Sequence, residues 1–271
     1  MYLKANEELI MEKYLFGLIA LSFSTFVVAE VDVDALVKSA ERAAYYSGKD
    51  GRSDARMMIV DNQGRKQVRQ FTILRRDISD NGDQQMMVFF SRPSDVKGTV
   101  FRVEKHVDVG VDDDRWLYLP ALELVKRISA GDKRTSFVGS HFFYEDVSGR
   151  AILEDAFELQ SENEESYLLK GTPKRPDTVE FGYYIVTINK QTKLPTLLDF
   201  FKNNNENYRR VEAVLIDTID GKPTVIRSKV SDLLTGAYTL MEFRNIRYDL
   251  GLDDDVFTER SLRNPPQQWL K

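Results

Sequence analysis

Apolar residues recur first at helical and then at strand spacing along this chain. Val33, Leu36, Val37, Ala40 and Ala44 follow the three-and-four rhythm that gathers side chains on one stripe of a helix, and Asp32 stands where a side-chain oxygen caps its first turn. The helix is expected to stop near Gly48 and Gly51. From Asp54 onward the period is two. In Thr99 to Val109, Phe101, Val103, Val107 and Val109 share one face while Arg102, Glu104, His106 and Asp108 share the other, the mark of a sheet with one apolar and one wet side. Turn signals at Asn62-Gln63-Gly64, Asp80-Asn81-Gly82, Gly131-Asp132, Asn203 to Asn207 and Asp220-Gly221 separate such runs. Strands are predicted near 55–61, 65–76, 84–91, 99–109, 115–119, 123–129, 134–138, 156–161, 166–171, 181–190, 196–202, 207–217, 224–232 and 237–249. Pro195 and Pro223 fall at strand starts, where a missing N–H is tolerated. The apolar parity flips from Met241 and Phe243 to Ile246 and Tyr248, which places a bulge near Asn245. With no linker, low-complexity tract or internal repeat, the pattern describes a mainly β chain with a single curled antiparallel sheet.

Some strands are apolar on both faces: Met86 to Phe90, Tyr183 to Val186 and Leu197 to Phe201. Either both faces are covered by other segments, or the sheet curls around a cavity whose wall is also apolar. A concave apolar sheet closed by an amphipathic helix can carry a lipid.

Ahead of the helix lies the uncharged run Tyr14 to Ala29, ending in Val27-Val28-Ala29. It is shorter than the roughly 20 residues that span a bilayer and is read as a secretory signal cleaved near Ala29. Residues 1–29 then form the signal and residues 30–271 a single domain, with Met11 an alternative start. The chain has no cysteine, so it holds no disulfide, thiolate metal site or lipid-bearing cysteine. Its 38 Lys and Arg against 43 Asp and Glu leave a net charge of -5, unlike the basic excess of a nucleic-acid binder. Sixteen Phe, twelve Tyr and two Trp can build a sizeable core. The expected product is an exported, freely diffusing periplasmic monomer.

The search for catalytic motifs is negative. There is no nucleophile elbow, phosphate loop, dinucleotide fingerprint or H-E-x-x-H pair. Ser140 and His141 are adjacent, and in an extended chain adjacent side chains point to opposite faces. His106 reads as a solvated strand residue and His141 as a structural or rim position beside Phe142, Phe143 and Tyr144. Asp112-Asp113-Asp114 reads as a solvated turn and Asp253-Asp254-Asp255 as the cap of a short helix, and neither matches a calcium loop. No catalytic residue, metal or cofactor is expected.

The densest constellation runs from Asp114 to Arg150, where Trp116 and Tyr118 share a strand face and Arg127, Lys133 and Arg134 add positive charge. Spacing alone allows a packed aromatic hairpin or an amphipathic mouth for acyl chains and anionic headgroups. The stretch Trp116-Leu117-Tyr118-Leu119-Pro120-Ala121, Arg127-Ile128, Ser136-Phe137-Val138-Gly139-Ser140 and Tyr144-Glu145-Asp146 closely resembles the bacterial outer-membrane lipoprotein-sorting proteins of the LolA-like superfamily. Arg92 to Thr99, Pro195 and Asp254 to Arg260 agree, so the resemblance covers roughly residues 33–265. One departure is His141, where the family commonly has Asp.

The resemblance implies a half-open, incomplete antiparallel β-barrel with a few helices closing its concave face. It implies a periplasmic carrier of lipid or lipoprotein acyl chains, in transient contact with membranes, working beside an RND-type (MMPL-like) inner-membrane transporter, and no enzymatic activity. Face and bulk select Met87, Phe89, Phe101, Trp116, Tyr118, Phe137, Phe181, Tyr183, Leu198 and Phe200 as the apolar cavity wall, with Arg115, Arg127 and Arg134 at the rim. Two other classes stand beside the carrier: an accessory subunit whose apolar face packs permanently against a transporter, and a hydrolase, which needs an acid–base constellation in a cleft.

Overall fold

The computed structural model describes residues 31–108 and 110–271, so the apolar run Tyr14 to Ala29 and Val109 lie outside the described residues. Asp32 caps the first helix by accepting the Ala35 N–H at 2.9 Å. That helix, α1 (Val33–Tyr45), buries Leu36, Val37 and Ala40, the stripe the spacing predicts. In chain order the strands and remaining α-helices are β1 (Asp50–Val60), β2 (Lys66–Asp77), β3 (Gln84–Arg92), β4 (Val100–Lys105), β5 (Asp114–Leu119), β6 (Leu124–Ile128), α2 (Tyr144–Ser148), β7 (Asp155–Glu162), β8 (Ser166–Pro173), β9 (Tyr183–Asn189), β10 (Pro195–Phe201), β11 (Asn207–Ile219), β12 (Lys222–Asp232), β13 (Tyr238–Tyr248) and α3 (Arg260–Arg263).

Among the described residues the thirteen strands form one antiparallel sheet in the order β6-β5-β4-β3-β2-β1-β13-β12-β11-β10-β9-β8-β7, not closed into a barrel. Every pairing joins sequence neighbours except at one seam, where β1 meets β13 with Gly51 opposite Tyr248 and Val60 opposite Tyr238. The free edges, β6 and β7, are consecutive in the chain. The segment that joins them, residues 129–154, therefore has to pass from one edge of the sheet to the other, and it does so over the same face as α1. The segment after β13 covers the opposite face.

This arrangement explains the strands that are apolar on both sides. On the inner face Val88 and Phe90 of β3 pack with Phe71, Phe101 and Phe137. On the outer face Met87 and Phe89 pack with Leu74, Val100 and the C-terminal Leu252, Val256, Phe257 and Leu262. Farther along the sheet, Tyr184, Val186 and Phe200 form a second inner cluster with α1. Tyr183 instead stacks on Phe201 with centroids 4.8 Å apart and planes 7° apart.

Two predicted strands differ. The strand expected at 134–138 is absent apart from one bridge, Ser136 to Phe143, because the chain turns sharply at Val138 (φ 48°) and Gly139 (φ 80°). The strand expected to reach Val109 stops at Lys105, since the His106 and Val107 N–H groups donate to the side chains of Asp113 and Asp83 rather than to a neighbouring strand. The bulge near Asn245 is present: pairing with β1 slips between Arg52 opposite Arg247 and Asp54 opposite Arg244, and Asn245 takes φ 50°.

Phe257 is 1% exposed and plugs the outer cluster. Replacing it with Ala should cost about 3–5 kcal/mol, read as a lower urea midpoint with little change in slope.

Candidate functional site

Residues 129–154 lie across an apolar sheet yet carry many charges, and those charges are satisfied among themselves. The Glu145 carboxylate is 3% exposed and meets Lys133 at 3.3 Å, Arg134 at 2.5 Å and Arg150 at 3.1 Å. Each cation has a further partner. Lys133 reaches Glu154 at 2.8 Å, Arg134 bridges both oxygens of Glu180 at 2.7 Å, and Arg150 forks onto Asp155 at 2.8 Å. Asp155 also accepts the Tyr184 hydroxyl at 2.8 Å, and Arg209 of β11 holds Asp146 while its guanidinium lies 4.3 Å from the Phe143 ring centre. Burial alone would raise the Glu145 carboxyl, but Arg134, Arg150 and Lys133 outweigh it and hold it at about 2. The segment's apolar anchor is Phe137, fully buried and ringed by Phe71, Phe90, Phe101 and Tyr144 at 5.5–6.2 Å between centroids.

Under this segment and α1 lies a cavity of about 390 Å³. Val37, Ala40, Glu41 and Ala44 of α1, with Phe142, Val147 and Ile152, cover it, and its floor includes Ile73, Val186, Ile188, Val211, Met241 and Phe243. The lining is mostly apolar, and its charged members are Glu41, Arg134, Glu145, Asp146 and Arg150. Its size falls in the range of about 300–1,000 Å³ usual for small-molecule sites.

Of the wall candidates chosen by face and bulk, Phe137, Leu198 and Phe200 line this cavity. Phe101 and Phe181 lie on the same side of the sheet but are spent in packing, Phe101 beneath Phe137 and Tyr144, Phe181 between Tyr184 and Phe200. Met87, Phe89, Trp116, Tyr118 and Tyr183 do not line it. Strand parity turns Val88, Phe90, Leu117 and Tyr184 inward and sends these five outward, where Arg102 covers Trp116 at 4.6 Å and Arg263 covers Tyr118 at 5.3 Å. Among the rim candidates only Arg134 borders the cavity. Arg115 is buried at 2% exposure, pairs with Asp113 and bonds Ser148 of α2; Arg127 is exposed on edge strand β6 and pairs with Asp114.

The residues that sequence reasoning did not assign to the site are those of α1 and, apart from Lys133 and Arg134, the ionic cluster. The helix stripe signals the first group; no regular spacing links Lys133, Glu145, Arg150, Asp155 and Glu180. The Ser136 to Ser140 stretch is a turn that braces itself: Ser136 Oγ donates to the Ser140 carbonyl at 2.6 Å and Ser140 Oγ accepts the Phe142 N–H at 3.1 Å. His141 sits 2.8 Å from Thr239 Oγ1 through Nδ1, and burial lowers its pKa. His106 lies 3.0 Å from Asp83; burial would lower its pKa, but Asp83 and Asp114 raise it. Among the described residues no group of three or more His, Asp or Glu has the geometry to hold a metal ion, and no helix is long and apolar enough to cross a membrane.

Three solved structures share this architecture. A DUF1329 family protein from Desulfovibrio piger is 29% identical, with a TM-score of 0.77 over 84% of this chain and 96% of that one. An outer membrane lipoprotein-sorting protein domain from Vibrio parahaemolyticus is 24% identical, with a TM-score of 0.75 over 84% and 97%. A LolA superfamily protein from Nitrosomonas europaea is 15% identical, with a TM-score of 0.64 over 85% and 99%. A family model described as "Uncharacterized protein" matches residues 82–264. No curated protein matches the chain.

Glu145→Gln leaves three buried cations short of a partner and should destabilise the protein by about 3–5 kcal/mol at neutral pH. The Glu145 carboxyl is held at about 2 against its ordinary 4.5. Its stabilisation is therefore complete above the ordinary value and lost as pH falls through the lower one. Urea midpoints recorded from pH 7 downward should drop below pH 5 in the parent protein, and less steeply in Glu145→Gln.

Proposed function

Because this chain belongs to the family whose model matches residues 82–264 and has the open-sheet fold of the lipoprotein-sorting domain and the LolA superfamily protein, we propose that it is a periplasmic carrier that holds acyl chains of a lipid or lipoprotein in the cavity beneath α1 and residues 129–154. The observation that carries this reading is the cavity itself: an unfilled apolar space of about 390 Å³ between the inner face of the sheet and the segments that cover it. Each methylene moved there from water contributes about 0.8 kcal/mol, so a long chain is held by several kcal/mol. Such a complex dissociates slowly unless a partner or competing site takes the cargo, and the partner in this reading is an RND-type (MMPL-like) inner-membrane transporter. The leader at residues 1–29 brings the chain to the periplasm, residues 30–271 work as a single domain and a monomer, and membrane contact is transient. The wall consists of Phe137, Leu198 and Phe200 together with the α1 stripe.

No catalytic step is assigned. Glu145, Asp155 and the arginines around them are saturated by one another, and the Ser140 hydroxyl is engaged in its own turn. The competing reading, an accessory subunit without diffusible cargo, predicts a cavity that takes up nothing.

Native mass spectrometry of protein purified without detergent should show adducts of lipid mass, and a fluorescent fatty acid should be taken up. Leu198 is half-buried and faces the cavity. Leu198→Trp should therefore lower fatty-acid affinity about tenfold, equivalent to about 1.4 kcal/mol, with circular dichroism unchanged. A bare protein mass together with no uptake sinks the carrier and favours the accessory subunit.

A further inference from the structure

A second cavity, of about 600 Å³, lies on the other side of α1 and differs in chemistry from the first. Lys38, Arg42 and Glu41 of α1 border it, with Lys105 and His106 at the end of β4 and Ile152 of the crossing segment. The two cavities adjoin, since Glu41 and Ile152 line both. One is greasy; the other presents three lysine or arginine side chains against the single carboxylate of Glu41, its imidazole already held by Asp83.

Lys105 is the telling group. It is 4% exposed, and its Nζ donates to the Gly149 carbonyl at 2.9 Å. Among the described residues no carboxylate comes within 4.0 Å of that ammonium, and Glu41 acts on it only at longer range. The other buried cations of the inner face, Arg115, Lys133, Arg134 and Arg209, all have carboxylate partners. A buried ammonium without a counter-ion is unfavourable, and an anion supplied from outside removes that cost. Lys38 has no carboxylate partner among the described residues, and Arg42 touches only exposed Asp80, at 3.4 Å. Glu41 lines both spaces, where burial raises its carboxyl and Lys105 lowers it.

We propose that the cargo is an anionic amphiphile whose chain occupies the apolar cavity and whose charged headgroup sits in the adjoining basic cavity against Lys105, with Lys38 and Arg42 at its mouth. This rests on the carrier reading and names the class of lipid it would take. It also moves the headgroup away from Arg115, Arg127 and Arg134, each of which already has a carboxylate partner.

The test compares palmitate with palmityl alcohol, which share a chain and differ in headgroup charge, on protein purified without detergent and stripped of lipid. Palmitate should bind about tenfold more tightly, as a charge-assisted contact implies. Lys105→Gln should abolish that preference while leaving the alcohol's affinity unchanged. Should Lys105→Gln fail to fold by circular dichroism, the exposed Lys38→Gln decides, with a palmitate preference reduced about threefold. Acetate, which has the carboxylate without the chain, should not displace palmitate at equal concentration. Equal affinities for acid and alcohol, or a preference untouched in the folded variant, overturn the headgroup site but leave the carrier standing. Displacement by acetate would make the basic cavity a free-anion site and equally overturns the proposal. If neither lipid binds, the carrier reading falls with it.

Discussion

A single buried carboxylate facing three cations organises the inner side of this protein. Glu145 could not lose its water without Lys133, Arg134 and Arg150, and none of those could be buried without Glu154, Glu180 and Asp155 in turn. Because the partners come from the crossing segment, from β7 and from the loop before β9, the network locates the segment over the sheet more firmly than apolar contact alone. It also accounts for the cavity. A wall of mutually saturated charges cannot collapse onto Val186, Ile188 and Met241 without losing hydrogen bonds, so the space between polar wall and apolar floor stays open.

The two faces of the sheet solve the same problem differently. The outer cluster is filled by Val256, Phe257 and Leu262. On the inner side one short helix and a largely irregular segment span a much wider floor. The basic cavity beside α1 adds polarity at one end, which would let the protein tell one end of an amphiphile from the other.

Much of the fold is legible in the alternation of residues. A predicted run overlaps each of the thirteen strands, although β1 opens earlier, at Asp50, and β4 closes earlier, at Lys105, and the parity flip after Phe243 locates the bulge at Asn245. What alternation cannot convey is which parity faces inward, because that depends on the register between neighbouring strands and on which segments cover each face. Choosing wall residues by bulk therefore puts Met87, Phe89, Trp116, Tyr118 and Tyr183 beside Phe137, Leu198 and Phe200, although strand geometry separates them. The charges mislead in a related way. Arg115 looks like a rim residue until Asp113, two positions away and on the same strand face, is counted as its partner. The ionic cluster is hidden altogether, since Glu180 and Arg134 come together only when the chain crosses the sheet.

The seam between β1 and β13 carries a consequence in time. It joins residues far apart in the chain; the Lys49 N–H, for example, donates to Asp249 from 200 positions away. Every other strand pairing is made between chain neighbours and can form as the chain emerges, but the two halves of the sheet meet only when the final strand is present. A chain made or threaded from its N-terminus stays in two unjoined meanders until nearly its last residues. The inner cavity, built from β2 on one side of the seam and β9 to β13 on the other, is thus among the last features to exist.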